Sequence, residues 1–138
     1  MRLWPLSILT QLPRQQLLGQ HRECCALRGK GWGRKHATVD YVFKHPYYWL
    51  YLYHRHIMFE MMNRQMRPDE KWFLSEYRGK TIGIDNSDFT KSASVLVIHD
   101  DDRGAIYPEH NDQYLHDCIA NLARKGVKIT YPNKEKSA

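Results

Sequence analysis

Apolar positions along the chain fall into three helical stripes separated by stretches without a period. Leu17, Leu18, Cys24, Cys25 and Leu27 recur at roughly 3.6-residue spacing, Pro13 suits a first helical turn, and Gly29 is a natural stop, which predicts a helix over about 13–28. Pro46 opens a second helix to about 66, in which Leu50, Tyr53, Ile57, Met61 and Met62 face the core, Arg55, Arg64 and Arg67 face water or a partner, and Pro68 ends the run. The third is the clearest. Asn111 caps it, Leu115, Cys118, Ile119 and Leu122 sit at i, i+3, i+4, i+7, and Arg124, Lys125 and Gly126 close it near 125. Between 68 and 108 the period fades except for the strand-like Val95–Ile98, which predicts irregular connection with a short extended pairing near 94–99. Residues 132–138 are expected to fray. The expectation is therefore a mainly α, three-helix single domain over 1–138 with long irregular connections.

Composition supports a folded chain and adds a charge asymmetry. The 138 residues, 42% hydrophobic and 26% charged, suit one core. The aromatic run YYWLYLY and the Met-rich HIMFEMMNRQM read as packing rather than as a base-stacking platform or a cofactor box. The net charge of +6 divides into +8 over residues 1–80 and −2 over 81–138. A cationic half with interleaved aromatics is the footprint of a polyanion binder, most often of nucleic acid, although a solvated basic surface has the same composition. Three cysteines, two of them adjacent, form neither a disulfide framework nor a zinc set, which favours a reducing, cytosolic compartment. The opening MRLWPLSILTQLPRQQLL is broken by Pro5, Gln11, Pro13 and Arg14, so neither export nor membrane insertion is expected.

No P-loop, dinucleotide glycine pattern, nucleophile elbow, H-E-x-x-H or EF-hand loop is present. Cys24 and Cys25 are expected on the buried side of the first helix. His54 and His56, two apart on a helix, point to different faces and would not chelate together. The stretch from His99-Asp100-Asp101-Asp102 to His110-Asn111 is loosely similar to a His/Asn metal nuclease, which stands as the enzymatic alternative. A third reading is a non-catalytic DNA-binding module. Between residues 20 and 39, Glu23 is the single acid among Arg22, Arg28, Lys30, Arg34 and Lys35, with three glycines in the loop that follows. That loop reads as a backbone able to approach something closely. Gly19 precedes Glu23 by one turn and leaves the carboxylate sterically open. Taken singly, Glu23 is better read as half of a surface ion pair with Arg22.

The order of features adds to this. Met1-Arg2-Leu3, then Gln15-x-Leu17, Arg22-Glu23 and Arg34-Lys35-His36, followed later by Arg103-Gly104 and Tyr107-Pro108-Glu109-His110, resembles the phage pyrimidine-dimer DNA glycosylases of the endonuclease V type, in a bacterial branch. The resemblance implies a monomeric, nucleoid-associated repair enzyme without cofactor or metal, acting on damaged double-stranded DNA as glycosylase and abasic-site lyase. It implies Met1 as the residue whose α-amine attacks C1′ to form an imine, and Glu23 as the acid–base group that assists ring opening and β-elimination. Arg2, Arg22, Arg28, Lys30, Arg34, Lys35 and His36 would hold the DNA. The phage enzymes begin with threonine then arginine once methionine is removed, whereas here Arg2 follows Met1 directly and its bulk keeps the methionine in place. The separation from Arg2 to Glu23 is one residue longer, a family histidine on the first helix is Gln16, and a basic residue after the glutamate is Ala26, with Arg28 as a substitute.

Overall fold

A computed structural model describes residues 2–34, 39–85 and 106–132. Within them the chain is mainly helical: α1 (Arg14–Arg28), α2 (Tyr47–Asn63) and α3 (Asp112–Arg124), joined by short 3-10 helices at Leu6–Gln11, Asp40–Lys44 and Glu70–Phe73. The expected extended pairing near 94–99 lies outside the described residues. A single antiparallel bridge, Tyr77 to Ile84, is the only β pairing among those described.

Local chemistry sets each helix boundary. Pro13 and Pro46 precede α1 and α2, their fixed φ suiting the start of a helix where no amide donor is required. Asn111 accepts the Tyr114 amide at 2.9 Å and so caps α3. Both α2 and α3 end in paired 6→1 and 5→2 backbone bonds: Met66 to Met61 with Gln65 to Met62, and Val127 to Leu122 with Gly126 to Ala123. The left-handed residue this motif requires is Gly126 (φ 85°) in α3 but Gln65 (φ 64°) in α2, which explains why α2 stops short of Pro68 at a point no glycine marks.

The core is built where α1 crosses α2, with Leu17, Leu27, Leu50, Tyr53 and Ile57 fully buried and α3 adding Leu115, Cys118 and Leu122. One expected core position is displaced. Met62 is 52% exposed, and Met58, one turn earlier, is buried in its place.

Arg28 is the larger correction. Expected to grip a phosphate, it is fully buried, and each of its five N–H bonds has an acceptor inside the protein. Nε donates to the Tyr47 hydroxyl at 3.0 Å, Nη1 to His54 Nδ1 and the Trp72 carbonyl at 2.8 Å each, and Nη2 to the carbonyls of Leu74 at 2.9 Å and Tyr77 at 3.1 Å. The same side chain thereby joins the end of α1, the length of α2 and the 72–77 connection. The loop glycines serve this packing too: a Cβ on Gly31 would lie 2.7 Å from the Ala26 carbonyl oxygen, and one on Gly29 would lie 3.0 Å from that of Arg78. What the loop backbone approaches closely is the protein's own backbone.

Arg28→Lys keeps the charge but supplies three donors for five acceptors. At least two are left unpaired at about 1–3 kcal/mol each, so urea unfolding should show a loss of about 2–6 kcal/mol. A loss below about 1 kcal/mol would mean that the five-fold bonding does not govern stability.

Candidate active site

The extended segment 2–4 is held by one side chain from each long helix. Gln20 of α1 donates from Nε2 to the Arg2 carbonyl at 2.8 Å and accepts the Trp4 amide on Oε1 at 3.0 Å. The Tyr53 hydroxyl of α2 donates to the Trp4 carbonyl at 2.6 Å and lies 2.7 Å from Gln20 Oε1. The Tyr114 hydroxyl of α3 donates to the Leu3 carbonyl at 2.6 Å. Leu3 and Trp4 fill the core beneath this clasp. Sequence reasoning missed Gln20, Tyr53 and Tyr114 as a set, because a polar residue bonded to a distant backbone carries no periodic signal. The one available hint was a glutamine on the helix face that also carries Cys24 and Leu27.

Glu23 follows Gln20 by one turn on that face. It is 8% exposed, so it is not half of a surface pair with Arg22, and among the described residues it has no hydrogen bond or salt bridge. A cleft of about 240 Å³ opens beside the clasp between α1 and α3, lined by Arg2, Trp4, Gln16, Gly19, Asn121 and Lys125. A Cβ on Gly19 would meet nothing within 4 Å, yet Glu23 is buried and does not line the cleft, so the open space at Gly19 does not extend to the carboxylate as expected. Arg22, Lys30 and Arg34 are exposed, while Arg2 is half-buried with Nη1 3.8 Å from Cys118 Sγ. Met1, Lys35, His36, His99 and the Arg103-Gly104 pair lie outside the described residues.

On the opposite face of α1, His21, Cys25 and the α2 residue His54 bring one ligand-type atom each to within 4.8 Å of one another. His21 Nδ1 and His54 Nε2 are 2.8 Å apart, and Cys25 Sγ is 4.0 Å from His54 Nε2. A guanidinium only donates, so Arg28 leaves His54 Nδ1 as an acceptor and places the hydrogen of the neutral ring on Nε2. That N–H then donates to His21 Nδ1. A metal ion would meet a hydrogen instead of a lone pair, and burial pushes the Cys25 thiol up to about 12. The group therefore fits a hydrogen-bond chain, Arg28 to His54 to His21, and does not fit a metal site. His54 finds its partner across the helix interface, not at His56.

His110, a ligand candidate in the nuclease alternative, is enclosed. Its ring stacks on Tyr114 at 4.8 Å, meets Tyr41 and Tyr53 edge-on, and its Nε2 pairs with the Tyr41 hydroxyl. Burial lowers its pKa to about 3, and desolvation beside Arg28 lowers that of His54. Both are neutral when folded at pH 7, whereas an unfolded histidine titrates near ~6.5. The unfolded chain thus binds protons that the folded one refuses. For His110 this stabilising contribution is complete above ~6.5 and is lost as pH falls toward 3, at up to about 1.4 kcal/mol per pH unit, and His54 acts in the same direction. Urea titrations between pH 7 and 4 should show a shallower pH dependence for His110→Asn than for the wild type; equal slopes would place His110 in contact with water.

Residues 1–74 match the family profile described as pyrimidine dimer DNA glycosylase, a span that includes Gln20, Glu23, Tyr53 and the exposed cations. No curated protein and no solved structure matches the chain. With more than half of its length under that profile, the chain belongs to the pyrimidine dimer DNA glycosylase family.

Proposed function

We propose that the protein removes damaged pyrimidines from duplex DNA and then cuts the strand at the resulting abasic site, with the α-amine of Met1 as nucleophile and Glu23 as the acid–base group. The observation that carries this reading is the placement of segment 2–4 on the face of α1 that bears Glu23. Gln20 holds the Arg2 carbonyl, and the side chains of residues 20 and 23, i and i+3, are neighbours ~5–6 Å apart at Cβ.

The chemistry asks for these groups. An α-amine ionises near ~8, so a fraction is neutral at pH 7 and can attack, which no unperturbed lysine does as readily. Its lone pair bonds to C1′ as the C1′–N bond to the base breaks, and loss of the amine proton with opening of the sugar gives an imine. A base then takes the C2′ proton, and the electrons of that C–H bond expel the 3′ phosphate by β-elimination. Glu23 is the one carboxylate on the clasp face of α1, shielded from water and therefore effective toward positive charge at the sugar. Arg22, Lys30 and Arg34 face solvent and suit phosphate contacts, and a damaged base is cheaper to extrude than a paired one. No step requires a metal ion.

Incubated with abasic or UV-irradiated duplex, chelator and borohydride, the protein should form a covalent adduct that acetylation of its N-terminus prevents. Glu23→Gln should slow strand cleavage by about 10²- to 10⁴-fold with duplex affinity nearly unchanged. Absence of an adduct with a free N-terminus, or cleavage abolished by chelator, would overturn the reading.

A further inference from the structure

We propose that Gln20 is a positioning residue, the side chain that sets the N-terminal amine against Glu23; this rests on the function proposed above. Its amide acts as a one-residue strand partner to segment 2–4, donating to residue 2 and accepting from residue 4. The orientation is not interchangeable. Turning the amide over would set NH2 against the Trp4 amide and oxygen against the Arg2 carbonyl, which loses both bonds. Gln20 is 2% exposed, so water cannot replace either bond, and two bonds to fixed backbone groups hold its rotamer.

Its location on α1 matters as much as its bonds. Tyr53 and Tyr114 also grip the segment, but from α2 and α3, so their hold follows any shift between helices. Gln20 and Glu23 share a continuous helix, whose i to i+3 geometry is fixed by backbone hydrogen bonds. The Arg2 carbonyl it holds is the last anchored atom before the amine among the described residues. Nucleophile and acid are thus referenced to the same rigid element, the arrangement that keeps reacting groups aligned. A neutral amide is also required: a carboxylate at position 20 could not donate to the Arg2 carbonyl, and it would put a second anion one turn from Glu23.

The test compares Gln20→Met and Gln20→Glu with the wild type by single-turnover borohydride trapping on an abasic duplex, with circular dichroism to confirm folding. Gln20→Met should slow trapping about 10- to 100-fold while the duplex dissociation constant stays within about three-fold. Gln20→Glu, which preserves volume, should move the rise of the pH–rate profile upward by about one unit, because the added anion holds the amine as ammonium. A residue that served only stability would leave that profile in place. Should Gln20→Met not fold, Gln20→Glu decides alone. Wild-type trapping with variants equal in rate and profile would overturn the positioning role and leave the proposed function intact. A wild type that forms no adduct would overturn both.

Discussion

Burial of the Arg28 guanidinium is the constraint around which the rest is arranged. A cation taken from water costs several kcal/mol unless all its hydrogens are bonded, and here the acceptors are neutral: three carbonyls, a phenol and an imidazole. The rings of Trp72 at 4.9 Å and Tyr51 at 5.2 Å add their electron-rich surroundings. Because those acceptors come from α2 and from the 72–77 connection, satisfying the charge dictates where both lie against α1. The arrangement continues outward. Arg78 donates to the Arg28 carbonyl at 2.9 Å, covers the Tyr47 ring at 4.0 Å and reaches Asp85, and its own carbonyl oxygen is what a side chain on Gly29 would strike.

This division gives α1 two faces with different duties. Residues 21, 25 and 28 look toward α2 and the Arg28 hub, where every guanidinium hydrogen has an acceptor and burial keeps the histidines neutral. Residues 20 and 23 look toward the N-terminal segment, where an amide fixes backbone and a carboxylate is shielded from water. The rigidity of the first face supports the second: a helix tied through Arg28 to α2 and the 72–77 connection cannot roll and carry Gln20 and Glu23 with it.

Much of this fold was legible in the pattern of residues, because helix ends and apolar stripes are local properties. Pro13, Pro46, Asn111 and Gly126 marked boundaries for reasons of backbone chemistry, and Glu23 stood out as a lone acid in a basic stretch. Arg28 did not, since an arginine at a helix end beside a glycine loop looks the same whether it faces phosphate or five internal acceptors; those acceptors lie 19 to 49 residues away in sequence. The clasp was hidden for the same reason, Tyr114 being 111 residues from the carbonyl it binds. Gln65 shows a smaller failure: a left-handed cap on a residue other than glycine has no sequence mark.

The clasp also accounts for a feature that looked unfavourable in the sequence, the extra residue between Arg2 and Glu23 relative to the phage enzymes. If register were counted along the chain, one more residue would displace the start of the chain by ~3.3–3.6 Å along α1. Register is instead set by Gln20, which bonds residues 2 and 4 directly across the helix face. Pro5 to Pro13, including the 3-10 helix Leu6–Gln11, is held by contacts of its own, with Ile8, Leu9 and Leu12 in the core and the Leu9 and Thr10 carbonyls bonded by Arg64, and none of these involves the clasp. Gln11 secures that connection separately, bonding both the amide and the carbonyl of Thr130 at 2.8 Å, so the clasp and the stretch that carries the extra residue are anchored by different side chains.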